Sequence, residues 1–132
     1  MPNANHPYTP VPAAFINTIV IVEPRPLEDG NSHCRKYRVT CHPPYLVVAE
    51  RDTILNFQLI LPTPEDILFK GLKKKKPFPE RQLSDPSISL NGKQMTLCDA
   101  NTICEDIDVT LQFHHHGREI DYDPQVQNDP RA

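Results

Sequence analysis

Three consecutive histidines, His114, His115 and His116, follow an alternating apolar segment near the C-terminus. If residues 105–113 form a strand that runs on into the triplet, His114 and His116 project from one face with Asp106 and Asp108, and His115 from the other. Two imidazoles at that spacing can hold a borderline divalent metal such as zinc, nickel or copper. A second group, His33-Cys34 and Cys41-His42, flanks another alternating segment and can reach the triplet at one end of a β-fold. The candidate metal ligands are therefore His114, His116, His33, Cys34 and His42, with zinc or copper as the ion. A cupredoxin-like copper centre is one version, but the closely spaced Cys, His and Met on one late loop that it needs are absent. Spacing supplies no third ligand beside the triplet, so the first expectation is no cofactor and a polar strand end turning at Gly117.

The cysteines divide by position. Cys34 and Cys41 lie seven apart on one extended segment and project to opposite faces, so they cannot chelate one ion, and Cys41 reads as a small core residue. Cys98 and Cys104 flank a five-residue loop, and parity turns both outward, nearly opposite each other, as a disulfide would need. With no secretory signal in view, free thiols are expected and the bridge is the alternative.

Lys73, Lys74, Lys75 and Lys76, with Lys70 before them and Arg81 after, form the concentrated charge feature. They can contact an acidic partner, a phosphate or an anionic lipid surface; a solvated basic loop or a guarded strand edge is the plainer role. There is no GxSxG elbow, glycine-rich phosphate loop or HExxH pair, so a hydrolytic enzyme ranks below a binding protein. A formal net charge of −3 argues against nucleic acid as partner. No apolar run approaches the ~18 residues of a membrane span, and a polar, proline-rich segment follows Met1, so the expected setting is cytoplasmic.

These residues need elements to position them. The chain of 132 residues holds 15 prolines and 4 glycines, and prolines cut it into pieces too short for long helices. Ile, Leu, Val and Phe still make up about a quarter of the residues, enough to build a core. Residues 15–22 are rich in β-branched side chains, and residues 35–41 alternate, with Tyr37, Val39 and Cys41 on one face. Residues 45–50 and 53–61, joined at Glu50-Arg51-Asp52, are expected to pair as an antiparallel hairpin. A short strand is expected at 67–69, a hairpin at 88–90 and 95–97 with Asn91 and Gly92 both at positive φ, a single strand at 105–113 and a last one at 119–123. Seven to nine short strands and no long helix predict an all-β chain, an antiparallel immunoglobulin-like β-sandwich, with a small barrel as the alternative. Residues 1–12 read as a proline-rich arm and 13–132 as one domain.

From Asn91 onward, the order strand, turn, alternating strand, Gly117 and then Asp123-Pro124, Val126 and Asn128 resembles the ending of the DP-EP family of small, uncharacterised bacterial β-sandwich proteins. The resemblance implies a sandwich and carries no catalytic residues with it. The function expected from the whole reading is a non-enzymatic binding or assembly module, contacting other copies or a protein partner through its strand edges and its arm. A metal-binding β-sandwich protein is the alternative.

Overall fold

The structure, a computed structural model, describes residues 14–75 and 82–130. The expected arm over residues 1–12 lies outside the described residues, as do Lys76 and Arg81. Within them the chain is all-β, with no helix and eleven strands. These are β1 (Phe15–Pro24), β2 (Tyr37–His42), β3 (Tyr45–Val48), β4 (Thr53–Leu59), β5 (Leu68–Lys74), β6 (Ser87–Ile88), β7 (Gln94–Asp99), β8 (Glu105–Ile107), β9 (Val109–His115), β10 (Arg118–Tyr122) and β11 (Gln125–Asn128). They form a five-stranded sheet in the order β2-β1-β4-β7-β6 and two three-stranded sheets, β10-β9-β5 and β3-β11-β8. Most pairings are antiparallel; β1–β4 and β3–β11 are parallel.

Side-chain alternation explains how the sheets meet. Val20 and Val22 of β1, Tyr37, Val39 and Cys41 of β2, and Leu55, Phe57 and Leu59 of β4 are buried on one face of the large sheet. They join Phe69, Leu111, Phe113 and Ile120 from the second sheet and Leu46, Val48, Ile107 and Val126 from the third in one apolar cluster. Each such side chain contributes on the order of 1.5–3 kcal/mol on leaving water. The other face of the large sheet carries a polar row where β1, β4 and β7 run side by side. There Asn56 donates to Asn17 Oδ1 at 2.7 Å and accepts from Thr96 Oγ1 at 2.7 Å, cross-strand pairing that fixes register.

Four expectations are corrected. Residues 45–50 and 53–61 do not form a hairpin: β3 pairs with β11, while β4 pairs with β1 and β7. The carbonyls at the end of β3 are occupied, since Asn101 Nδ2 donates to Val48 O at 2.9 Å and to Glu50 O at 3.1 Å. The segment 105–113 is not one strand. It breaks at Asp108, so that β8 joins β11 and β9 joins β5 and β10 in another sheet. The alternation survives the break because Ile107 and Val109 both face the core, and periodicity alone could not reveal it.

The third correction concerns the lysines. Lys73 and Lys74 belong to β5 and are not a loop. The fourth concerns the hairpin at Asn91-Gly92, which forms, with Ile88 opposite Met95, but with positive φ only at Gly92 (72°). A Cβ on Gly92 would lie 2.9 Å from Leu68 Cβ, and Gly92 O accepts from Phe69 N at 2.9 Å, so this hairpin tip braces the start of β5. The Asp123-Pro124 pair is the connection from β10 to β11. Proline suits it, having no amide to offer the ladder, and Asp123 accepts hydrogen bonds there from Thr110 Oγ1 at 2.8 Å and Lys75 Nζ at 2.6 Å.

Candidate metal centre

The β9–β10 hairpin sets the histidines. His115 pairs with Arg118, which leaves His116 and Gly117 as a two-residue loop with φ of 50° and 76°. Positive φ at both positions is the type I′ geometry that matches strand twist. It also takes His116 off the strand's alternation. Neighbours that would point to opposite faces converge instead, with ring centroids 4.3 Å apart.

The third group comes from the connection between β4 and β5. Thr63 N bonds Ile60 O at 3.0 Å and Ile67 N bonds Pro64 O at 3.1 Å, making compact turns around Pro62 and Pro64. The connection is tied down at several points: Val22 N donates to Thr63 Oγ1 at 3.0 Å, Ile67 is fully buried, and Lys93 Nζ donates to Glu65 O at 2.6 Å and Ile67 O at 2.8 Å. Asp66 stands at its tip, with Oδ1 3.1 Å from His115 Nε2 and Oδ2 2.5 Å from His116 Nε2.

Ligand atoms from Asp66, His115 and His116 all lie within 4.8 Å of one another. Burial grades across the group, the side chains of His115, Asp66 and His116 being 16%, 47% and 72% exposed. Behind His115, the buried Tyr37 of β2 places its hydroxyl 2.8 Å from Nδ1, with the two rings edge to face at 79°. Two imidazole nitrogens and a carboxylate on one side of an ion leave other coordination positions open to solvent, an arrangement suited to zinc or another borderline divalent metal.

Of the ligands expected from sequence, only His116 belongs to this group. His114 sits within β9 opposite Leu68 and Glu119. His33 Nε2 lies 2.9 Å from Asp123 Oδ1, Cys34 is exposed with its sulfur 3.6 Å from Ser32 Oγ, and His42 is exposed at the end of β2. Asp66 and His115 were missed. No spacing rule connects Asp66 to the triplet; the local signal available for His115 was Gly117, whose two-residue turn brings His115 and His116 together.

The other expected sites fall elsewhere. All four cysteines are free thiols, Cys98 and Cys104 both exposed, and burial pushes the Cys41 thiol up to about 11. Lys74 Nζ donates to Leu83 O at 3.0 Å and lies 3.8 Å from Asp85. Lys75 Nζ reaches Asp123 at 2.6 Å and Asp108 at 3.3 Å, and the hydrogen bond it donates to Asp123 raises its pKa against the opposing effect of desolvation. These two lysines therefore already face carboxylates of their own chain. Separately, the outward face of β3-β11-β8 forms an open groove of about 710 Å³ lined by Tyr45, Val47, Asp106, Gln125 and Gln127.

Compared with known families and with curated proteins, the chain matches no family model and no curated relative. No helix among the described residues is long and apolar enough to cross a membrane.

Proposed function

We propose that this is a metal-binding β-protein holding one divalent transition metal through Asp66, His115 Nε2 and His116 Nε2. The carrying observation is that three ligand atoms from two separately anchored chain segments lie within 4.8 Å of one another. Three protein ligands leave a position for water or an external ligand, the composition of open rather than closed zinc sites. The architecture that presents it reads as an immunoglobulin-like sandwich, the five-stranded sheet packing over the two smaller ones. The DP-EP likeness fits the Asp123-Pro124 corner and the following β11.

The test is zinc titration of untagged protein by calorimetry with elemental analysis. The expected result is one zinc per chain, lost in Asp66→Ala/His116→Ala and kept in His114→Ala. Wild type without zinc uptake, or a double variant that binds as well as wild type, overturns the reading.

A second reading, association of two copies through a sheet edge, is favoured by β3. It is the outer strand of its sheet, and Tyr45 and Val47 are 64% and 49% exposed on it; such edges pair readily. Light scattering should then show a dimer in wild type and a monomer in Val47→Lys. A monomeric wild type at all concentrations removes this reading.

A further inference from the structure

We propose that Tyr37 is the positioning residue of this centre: its hydroxyl selects which ring nitrogen His115 turns toward Asp66 and the metal. The proposal rests on the reading of Asp66, His115 and His116 as a metal site.

An imidazole has two nitrogens, and a metal takes the lone pair of one while the other keeps its proton. The partner of the far nitrogen therefore decides which one faces the ion. For His115 that partner is Tyr37, whose hydroxyl is 2.8 Å from Nδ1, leaving Nε2 aimed at Asp66 Oδ1, 3.1 Å away.

Tyr37 is a fixed post and not a surface side chain that happens to be near. It is 4% exposed. Its amide donates to Ser32 Oγ at 3.3 Å, and its carbonyl accepts from Asn31 N at 3.0 Å and Ser32 N at 3.1 Å. It also lies in β2 of the five-stranded sheet, whereas His115 lies in β9 of another. The contact thus fixes the ring relative to a second sheet and not merely along its own hairpin.

A hydroxyl suits both states of the site because it donates and accepts. Without metal, Nε2 can donate to Asp66 while Nδ1 accepts from Tyr37. With metal on Nε2, the ring proton resides on Nδ1 and Tyr37 accepts from it. The ring keeps one orientation in both cases, and only the direction of a hydrogen bond reverses. His116 has no such support: among the described residues its hydrogen-bonding contact is with Asp66, and its side chain is 72% exposed. His115 is accordingly the ligand whose ring is held from behind, whereas His116 is positioned only by its turn and by Asp66.

Two measurements test this. Zinc affinity of Tyr37→Phe, which removes the hydroxyl and keeps the ring, should fall about 10–100-fold, the range for loss of a partner behind a ligand. Nitrogen-resolved NMR of histidine-labelled wild type with zinc should show His115 coordinated through Nε2 and protonated at Nδ1. This second readout needs no variant and stands if Tyr37→Phe fails to fold. Unchanged affinity in a folded Tyr37→Phe, or coordination of His115 through Nδ1 in wild type, overturns the role of Tyr37 while leaving the site. Wild type that takes up no zinc overturns the site and this proposal with it.

Discussion

Lys93 brackets Asp66 through the backbone: its ammonium donates to Glu65 O at 2.6 Å and to Ile67 O at 2.8 Å, the carbonyls on either side of the carboxylate residue. Lys93 sits at the start of the β7 arm, next to Gly92, so the tip that braces β5 also holds the Asp66 turn. Replacing it by methionine keeps most of the apolar stem and deletes the donors. Lys93→Met is expected to lose about 1–2 kcal/mol in urea unfolding, with weaker zinc binding. A loss below about 0.5 kcal/mol would show that the turn holds without the ammonium.

Asp99 supplies a pH test away from the site. It is fully buried, accepts from Asn128 Nδ2 at 2.9 Å and Asn101 N at 3.0 Å, and its second oxygen has no protein partner. Desolvation outweighs those two bonds and raises its pKa above the ordinary 3.8. The native state then holds this proton more tightly than the unfolded chain does. The resulting stability is complete below the unfolded pKa and is lost as pH rises through the folded one. Asp99→Asn cannot ionise, so the stability difference should shift in its favour as pH rises from 3.8. Urea midpoints of both proteins across the acid-to-neutral range measure it, and a pH-independent difference refutes it.

Phe113 is the largest of the fully buried side chains and stacks on Phe69 with centroids 5.1 Å apart. Phe113→Ala should cost about 3–5 kcal/mol through lost transfer energy and the cavity left behind. Phe113→Leu should cost distinctly less. Chemical unfolding of both checks the ranking, and equal losses would mean that stacking, not volume, dominates.

Half-buried strands were legible because burial follows period two. In β2, Tyr37, Val39 and Cys41 are inside while Arg38 and His42 are exposed, as alternation requires. Partner choice was not legible. Nothing local in residues 45–48 announces a parallel pairing with 125–128, and the break at Asp108 is silent because the apolar residues on both sides keep their parity. The metal centre divides in the same way. The histidine triplet advertised the ligand type, but Asp66 comes beside it only because β5 pairs with β9, Leu68 lying opposite His114.

The parallel pairing of β3 with β11 also orders events during synthesis. Some 80 residues separate Tyr45 from its partner Gln125, and β11 occupies the middle of its sheet. Neither β3 nor β8 has a neighbour in that sheet until β11 arrives. A nascent chain halted before Gln125 leaves the ribosome must carry Leu46, Val48 and Ile107 without that cover, a state open to chaperones and to misassociation. Pairing of β3 within this sheet therefore waits for some 80 further residues, until β11 has emerged.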